Sequence, residues 1–462
     1  MTRAFSRNGR AVRHIHFIGI GGAGLSALAR VMLGRGLAVS GSDVAASAVT
    51  DALADAGAKI FIGHAAENIA GADLIVVTSA APQDNPEIAA AHLQQIEILK
   101  RRDFLRDATA GYKTIAVAGS HGKTTTSAMI AAILADAGID PTAVIGGIIP
   151  AWQTNARAGN SEWFVIEADE YDYAFWGLSP FIAVVTNVDY DHPDLFTTPD
   201  VYQKAFAQFM AQVQPDGTIV VCGDETVAAQ LAKQSAHANV TYGINNQNDW
   251  RAENIRPNAR GGVDFDAVFA GKSEASFSLA IPGTHNALNA LAAVVVTRQC
   301  GVTYDVSWKT LSNFKGVGRR FQIHGTYNGA IIIDDYAHHP TEIRATLSAA
   351  RMRYPNAKLV ALFQPHTFTR TRALLDEFAN ALALADHVLV TEIYAAREQN
   401  DTVLSARTLV ERMAQDKAQF VETLTQAEQQ LRQELQAGDV LVILGAGNVN
   451  QIAVRLTQEN HA

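Results

Sequence analysis

Residues 114–126 read Thr114-Ile-Ala-Val-Ala-Gly-Ser-His-Gly-Lys-Thr-Thr-Thr126, a β-branched apolar run that leads into a turn with two glycines. A helix-forming run follows over residues 127–135. In such a turn, free backbone N–H groups and the positive end of the helix face an anion. We therefore expect Lys123 to contact the outer phosphates of a nucleotide and the Thr124 hydroxyl to bind Mg²⁺.

This loop is a compact variant, because the usual pattern has glycine at the position where this chain has Val117. The alternative interpretation is a glycine turn that carries a surface lysine. The strand before the loop and the helix after it favour the phosphate site, since that mechanism requires both.

Length and composition limit the possible classes of protein. The 462 residues correspond to roughly two to four domains. A net charge of −9 argues against a protein that coats nucleic acid. Cys222 and Cys300 are the only cysteines, which excludes a disulfide framework and a cysteine-based zinc site and fits a reducing cytosol. No apolar run reaches the ~18 residues of a membrane span.

A second glycine-rich turn lies near the start of the chain. Gly19-Ile-Gly21-Gly-Ala-Gly24 follows an apolar strand predicted over residues 13–20, and Asp43 comes about twenty residues later, as in a dinucleotide-binding fingerprint. Alone, this pattern suggests a dehydrogenase. Strands and helices continue to alternate, which predicts a parallel sheet with ligand loops at the strand ends. Several residues fall at such ends and either contact a ligand or cap a loop: Gly19, Gly22, Asp43, His64 and Ser79.

Acidic residues follow the next two apolar strands, predicted over residues 163–166 and 182–186. Glu167 and Asp169 share one face of the first strand end, and carboxylates suit a hard cation. With Thr124 they predict a magnesium site. His192, after the second strand, would be an unusual member because Mg²⁺ prefers oxygen ligands, and its alternative is a solvated loop histidine.

The pattern changes over residues 241–281. Two alternating runs, at 263–269 and 275–281, predict antiparallel strands added to the sheet. A helix is then predicted to begin near residue 284. Three polar residues at its start either face an adenine ring or cap the helix: His285, Asn286 and Asn289.

The last third of the chain predicts another αβ unit. Residues 314–321 form a basic glycine hinge, about which we expect domain closure. Four strands ending in polar residues follow, at 330–333, 358–363, 387–390 and 440–444. This unit also has four arginines whose charge suits phosphate or carboxylate: Arg319, Arg320, Arg370 and Arg372. The alternative for any one of them is a solvated surface arginine.

Together these patterns predict a three-domain α/β enzyme. The expected domains are residues 1–108, 109–316 and 317–462, with a linker over residues 105–112. Two phosphate loops in one chain disfavour a simple dehydrogenase and favour ATP use on a substrate that itself carries a diphosphate. A nicotinamide-dependent oxidoreductase and a non-catalytic nucleotide-binding regulator remain alternatives.

Five motifs resemble those of the Mur ligases of peptidoglycan synthesis, and the resemblance extends from residue 14 to about residue 456. They are Gly119-Ser-His-Gly-Lys-Thr-Thr125, Glu167-Ala-Asp-Glu170, Thr186-Asn-Val-Asp-Tyr-Asp-His192, Gly283-Thr-His-Asn-Ala-Leu-Asn289 and Asp334-Asp-Tyr-Ala-His-His-Pro340. The glycine turn Gly19-Ile-Gly-Gly-Ala-Gly24 and the segment Gln364-Pro-His-Thr-Phe-Thr-Arg-Thr371 are similar to the branch that adds L-alanine to UDP-N-acetylmuramate. Glu170-Tyr171-Asp172 is similar to a recycling branch that adds a tripeptide to the same nucleotide sugar.

The resemblance implies a fold and a chemistry. It implies an N-terminal Rossmann-like UDP-binding domain, a central P-loop domain with added antiparallel strands and a C-terminal Rossmann-like domain that binds the amino acid. ATP would phosphorylate the lactyl carboxylate of UDP-N-acetylmuramate, and the amine of L-alanine would displace phosphate. ATP and Mg²⁺ are the implied cofactors. A cytoplasmic monomer or weak dimer, without nucleic acid or membrane insertion, is the expected form.

The resemblance also implies site residues. ATP would be bound by Gly119, Ser120, His121, Gly122, Lys123, Thr124, Thr125, His285, Asn286, Asn289, Arg320 and Asp335. The UDP-sugar would be bound by Gly19, Gly21, Gly22, Ala23, Gly24, Ser42, Asp43, His64 and Ser79. The amino acid would meet Tyr336, His338 and Arg370, and the metal Thr124, Glu167 and His192. Catalysis would depend on Lys123, His121, Glu167, His192 and Arg320, with His121 close to the muramoyl carboxylate.

Overall fold

The computed structural model describes residues 5–399, 404–414 and 417–458. Residues 1–4 of the first predicted domain and residues 459–462 of the third therefore lie outside the described residues. The chain forms two compact units. The first comprises Met1–Asp189, Gln203–Arg251 and Ala290–Thr310, and the second comprises Tyr190–Tyr202, Ala252–Asn289 and Leu311–Ala462.

The first unit begins with a small hairpin and a five-stranded parallel sheet in the order β5-β4-β3-β6-β7. The order reverses at β3, as it does in dinucleotide-binding sheets, where ligands bind at the reversal. The elements are β1 (Ser6–Arg7), β2 (Arg10–Ala11), β3 (His14–Ile18), α1 (Ala23–Gly34), β4 (Ala38–Asp43), α2 (Ala48–Asp55), β5 (Lys59–Ile62), a 3-10 helix (Ala66–Ile69), β6 (Leu74–Val77), α3 (Pro86–Leu93), β7 (Glu97–Lys100) and α4 (Arg101–Thr109).

The predicted linker over residues 105–112 is wrong for most of its length, because α4 continues to Thr109. Phe104, Leu105 and Ala108 are buried on one face of this helix. The charged residues between them made the segment read as a loop, whereas the spacing of its apolar residues matches a helix face.

A larger sheet follows, in the order β10-β9-β11-β8-β12-β13-β14-β15, and β8 lies in its interior. All neighbours pair in parallel except β10 and β9. The elements are β8 (Lys113–Ala118), α5 (Lys123–Asp136), β9 (Thr142–Ile149), β10 (Thr154–Arg157), β11 (Trp163–Glu167), a 3-10 segment (Tyr171–Gly177), β12 (Ile182–Val185), α6 (Pro199–Met210), β13 (Thr218–Cys222), α7 (Thr226–Gln234), β14 (Ala238–Gly243) and β15 (Trp250–Pro257).

Strand β12 is apolar throughout, and β8 is apolar from Ile115 onward, because both faces of this sheet are covered. Ile115, Val117 and Val184 are all 0% exposed. A parallel sheet buried on both faces selects such continuous β-branched runs rather than alternation. Because β8 pairs in parallel with β11 and β12, the loops after these three strands emerge at the same edge of the sheet.

The second unit contains an antiparallel hairpin and a six-stranded sheet in the order β18-β19-β23-β20-β21-β22, parallel except for the pair β18 and β19. The elements from here to the end of the chain are β16 (Val263–Phe269), β17 (Lys272–Ser278), α8 (Thr284–Gln299), α9 (Tyr304–Asn313), β18 (Gln322–Tyr327), β19 (Ala330–Asp335), α10 (Pro340–Arg353), β20 (Leu359–Phe363), α11 (Phe368–Ala373), α12 (Leu375–Leu382), β21 (His387–Thr391), α13 (Arg407–Glu411), β22 (Ala418–Val421), α14 (Leu424–Glu434), β23 (Val440–Leu444) and α15 (Gln451–Gln458). The second antiparallel strand was predicted at residues 275–281, which is three residues too far along the chain, because β17 spans Lys272–Ser278.

Candidate functional site

The loop after β8 is the predicted phosphate loop, and it is held by the loop after β12. Ser120 Oγ donates to the Asp189 carbonyl at 2.6 Å, and Thr186 Oγ1 donates to the His121 carbonyl at 2.6 Å. Gly122 precedes α5 in a left-handed conformation, with φ 82°, so the first helical residue is Lys123. The loop is thus fixed by hydrogen bonds within the protein, with its N–H groups at the start of a helix, where they suit an anion.

The surroundings of Gly119 leave no space for a side chain. Its φ is +138°, and an added Cβ would lie 1.9 Å from Thr186 Oγ1. We expect Gly119→Ala to displace the loop and to weaken ATP binding at least tenfold, measured by calorimetry. Gly138→Ala is the matched control, because Gly138 also has a positive φ but no atom within 4 Å of its added Cβ. Equal ATP affinities in the two variants would contradict the expectation.

Lys123 lies among carboxylates. Its Nζ is 2.9 Å from Glu170 Oε2 and donates to the Ser120 carbonyl at 3.1 Å. Burial lowers the pKa of Lys123, but the charges of Glu170, Glu167 and Asp169 outweigh it and raise the pKa above its ordinary value. The ammonium group is therefore fully charged at neutral pH.

The acids at the end of β11 and just after it have separate partners. Glu167 Oε2 accepts the Gly146 N–H at 2.7 Å, and Asp169 Oδ2 pairs with Arg101 Nη1 at 2.7 Å. Burial raises the pKa of Asp169, but Arg101 and Lys123 outweigh it and lower the pKa. Sequence reasoning missed Arg101, because the sequence gives no sign that the start of α4 reaches this strand end.

His121 is oriented by an acid. Its Nε2 lies 3.0 Å from Asp189 Oδ2, and its backbone N–H donates to Asn187 Oδ1 at 2.8 Å. The structure therefore brings His121, Lys123 and the carboxylates to one edge of the sheet. In this arrangement Lys123 is the cation suited to neutralising phosphate charge, and the carboxylate oxygens are suited to a hard cation.

The N-terminal glycine turn is also held by side chains. The Gly21 N–H donates to Asp43 Oδ2 at 2.9 Å, and an added Cβ at Gly19 would lie 2.5 Å from Thr78 Cγ2. Gly22 precedes α1, Ala23 is its first residue and Gly24 lies in its first turn. Ser42 lies within β4, one residue before its end, and His64 follows β5. Both contact the buried Glu87. Ser79 lies just after β6.

The second unit places the three predicted adenine residues in the first turns of α8. Asn286 Nδ2 donates to the Pro282 carbonyl at 2.7 Å, and Asn289 Nδ2 donates to Asn286 Oδ1 at 3.3 Å. Burial lowers the pKa of His285 to about 4, so its ring is neutral at pH 7. Asn286 thus serves the helix start, and adenine binding by these residues stays a prediction.

Asp335 accepts hydrogen bonds from the last residue of the hinge and from two residues that follow β19. It accepts the Phe321 and Ala337 N–H groups, both at 2.9 Å, and the Thr346 hydroxyl at 3.1 Å. Burial raises its pKa to about 6. The Arg320 guanidinium lies 5.1 Å from the Tyr336 ring centre. The nucleotide contacts predicted for Arg320 and Asp335 stay predictions.

Arg370 forms a buried ion pair. Its Nε donates to Asp191 Oδ1 at 2.7 Å, and each side chain is 4% exposed. A further nitrogen, Nη1, donates to the His366 carbonyl at 2.6 Å, and Nη2 lies 3.5 Å from His192 Nδ1. Burial raises the pKa of Asp191, but His192 and Arg370 outweigh burial and hold this pKa well below its usual range.

Aromatic rings continue from Tyr336 in this unit. Tyr336 and His338 lie 5.3 Å apart, His338 and His366 5.8 Å, and His366 stacks on Tyr394 at 5.7 Å. Sequence reasoning gave no role to His366 or Tyr394. His366 lay inside a quoted motif, which was a usable signal, whereas Tyr394 had none.

Three family profiles match the chain. They are the Mur ligase family catalytic domain over residues 14–113, the Mur ligase middle domain over residues 117–297 and the Mur ligase glutamate ligase domain over residues 319–447. The chain belongs to the Mur ligase family. The predicted α/β fold class and the resemblance stated from the motifs are confirmed, whereas the exact limits of the three domains stay predictions.

Two relatives that match the chain over nearly its full length have the same name. A UDP-N-acetylmuramate–L-alanine ligase from Caldanaerobacter subterraneus subsp. tengcongensis is 42% identical over 97% of this chain and 98% of the relative. One from Alkaliphilus metalliredigens is 41% identical over 99% of each.

Two solved structures have the same fold as this chain, and they have different names. The UDP-N-acetylmuramate–alanine ligase of Thermotoga maritima has a TM-score of 0.82 and 31% identity, covering 97% of this chain and 99% of its own. A murein peptide ligase from Psychrobacter arcticus has a TM-score of 0.70 and 27% identity, covering 96% and 98%. Among the described residues, no helix combines the length and apolarity needed to cross a membrane.

Proposed function

We propose that the chain is an ATP-dependent ligase that joins L-alanine to the lactyl carboxylate of UDP-N-acetylmuramate, in the synthesis of peptidoglycan precursors. The observation that carries this proposal is the match, over 97% of the chain, to relatives named for that reaction. The charged Lys123 at the start of α5 supports it independently. We place the reaction in the cytoplasm, where ATP and nucleotide sugars are made.

The chemistry begins with the carboxylate, which is a poor electrophile. Transfer of the terminal phosphoryl group of ATP gives an acyl phosphate, whose phosphate is a good leaving group. Phosphoryl transfer depends mainly on positioning and on neutralising charge. Lys123 and the N–H groups of the fixed loop supply positive charge, and His121, oriented by Asp189, is proposed to approach the substrate carboxylate.

The donors near Lys123 fit a magnesium ion. Glu167 lies on the strand beside β8 and contributes to the electrostatics of Lys123, while Thr124 is the next residue of α5. Thr124 and Glu167 would hold Mg²⁺ through oxygen, as that ion prefers. When bound, it would neutralise charge on the phosphate oxygens. The role of His192 stays a prediction.

The amine attacks in the second step. It adds to the carbonyl of the acyl phosphate, a tetrahedral intermediate forms, and inorganic phosphate leaves as the amide is made. Tyr336, His338 and Arg370 are proposed to surround the amino acid. Arg370 is a fixed cation, because Asp191 and the His366 carbonyl hold it, and a fixed cation suits the carboxylate of alanine.

A tripeptide is the second candidate for the incoming amine. The similarity to a murein peptide ligase and the Tyr171 motif favour it, but the greater identity and TM-score of the alanine ligase favour L-alanine. We expect phosphate release from ATP and UDP-N-acetylmuramate to require L-alanine. The tripeptide L-alanyl-γ-D-glutamyl-meso-diaminopimelate should give at least tenfold lower kcat/KM. The reverse preference would exchange the two assignments, and no amine-dependent release would refute both.

A further inference from the structure

A buried carboxylate lies beneath two of the residues proposed to bind the nucleotide sugar. Glu87 is 0% exposed and lies in the first turn of α3, where its backbone N–H donates to Asn85 Oδ1 at 2.9 Å. A buried charge is costly unless donors surround it. The contacts of this carboxylate therefore show what it holds in place.

Side chains from four other segments meet Glu87. Ser42 Oγ donates to Oε2 at 2.6 Å, and Asn68 Nδ2 donates to Oε1 at 2.6 Å. His64 Nδ1 lies 3.2 Å from Oε2, and His16 Nε2 lies 3.7 Å from it. Burial raises the pKa of Glu87, but its interactions with His16, Ser42 and Asn68 outweigh burial and lower the pKa to about 2. The carboxylate is ionised at neutral pH and acts only as an acceptor.

These bonds decide which nitrogen of His64 carries the proton. Ser42 gives its single hydroxyl proton to Glu87, so its oxygen is an acceptor towards His64 Nδ1 at 3.0 Å. Both neighbours of Nδ1 are then acceptors, and Nδ1 must carry a proton.

The other ring nitrogen of His64 is left for a ligand. Within the part of the chain that the structure describes, Nε2 of His64 forms no hydrogen bond, and the side chain is 19% exposed. In this tautomer, Nε2 accepts a proton from a hydroxyl group.

We infer that Glu87 is a positioning residue of the nucleotide-sugar site: with Ser42, it fixes the orientation and tautomer of His64 so that Nε2 serves the bound UDP-N-acetylmuramate. This inference rests on the proposed function, which supplies the ligand. Glu87 itself is buried and acts through His64.

The test is a double-mutant cycle on binding of UDP-N-acetylmuramate, measured by calorimetry with the wild type, Glu87→Gln, His64→Ala and the double variant. Glutamine keeps the size of the side chain but removes its charge. We expect Glu87→Gln to weaken binding about tenfold, the effect of losing a charge-assisted hydrogen bond. It should have no further effect in the His64→Ala background, because Glu87 acts through that ring.

Glu67→Gln is the matched control, since Glu67 is an exposed acid in the adjacent 3-10 helix. It should bind the nucleotide sugar as the wild type does, and binding of a non-hydrolysable ATP analogue should be unchanged in every variant. Equal affinities of the wild type and Glu87→Gln would overturn the inference. So would a Glu87→Gln effect of the same size with and without His64, which is the sign of a merely structural role.

A measurement on the wild type keeps the inference testable if Glu87→Gln does not fold. Nitrogen-15 NMR of the histidine rings, assigned with His64→Ala, should show His64 with its proton on Nδ1. A neutral ring with its proton on Nε2 would overturn the inference. If the wild type does not bind UDP-N-acetylmuramate at all, the proposed function fails instead, so the two failures are distinguishable.

Discussion

Replacing Lys123 with alanine is expected to abolish ATP-dependent ligation. Loss of one donor to the transferring phosphoryl group costs about 3 kcal/mol or more, which is roughly a hundredfold in rate. The expected result is a loss of kcat of at least that size, measured as phosphate release with ATP, UDP-N-acetylmuramate and L-alanine. Stability must be measured separately, because Lys123 also pairs with the buried Glu170.

Glu170 is 1% exposed and loses its lysine partner in Lys123→Ala. A buried carboxylate that loses its cation costs about 3 kcal/mol or more in the free energy of unfolding. The double variant Lys123→Ala/Glu170→Gln should regain stability without regaining activity. Lys204→Ala, on the exposed side of α6, is the control for removal of a lysine. Near-normal turnover in either Lys123 variant would refute the assignment.

Replacing Arg370 with alanine should affect stability and substrate use together. Asp191 would remain buried without its cation, which costs about 3–5 kcal/mol in the free energy of unfolding. Urea denaturation measures that loss. In steady-state kinetics we expect KM for L-alanine to rise at least tenfold, because a fixed cation for its carboxylate is lost, while KM for ATP changes little.

The variant Asp191→Asn/Arg370→Ala separates the two effects. It removes the uncompensated charge, so stability should recover while the affinity for L-alanine stays low. Arg344→Ala, on the exposed face of α10, is the matched control for loss of an arginine. If KM for L-alanine recovers with stability, Arg370 serves the fold and the proposed contact with the amino acid is wrong.

The sequence predicted the strand, glycine turn and helix around residues 114–135 well because their signal is local, whereas the phosphate contact of this loop stays a prediction. A strand, two glycines and a helix start are adjacent in the chain, so Lys123 and Thr124 were assigned before any tertiary contact was known. The acids after β11 were found for the same reason. The segment after residue 105 was misread, because charged residues concealed the buried face of α4.

Residues whose roles depend on packing were not predictable. Glu87 reads as an ordinary helix-start acid, and only the folded sheet places it against His64 and Ser42. Arg101 lies 68 residues from its partner Asp169. Neither contact has a pattern at short range, so neither residue was assigned a role from the sequence.

Under the proposed function, the pairing of Lys123 with Glu170 would keep the site ready for ATP. Its ammonium group is held by a carboxylate and by loop carbonyls, at the position where the helix N-terminus faces an anion. Phosphate oxygens offer the same kind of acceptor, so binding exchanges one set of acceptors for another. Little reorganisation is then needed at the moment of transfer.

Oxygen-18 transfer from the substrate carboxylate tests the central claim most directly. UDP-N-acetylmuramate labelled with oxygen-18 in its lactyl carboxylate is incubated with ATP, L-alanine and the enzyme, and the released phosphate is analysed by mass spectrometry. Reaction through an acyl phosphate predicts that each phosphate carries one labelled oxygen. Unlabelled phosphate, released together with the amide product, would contradict the account.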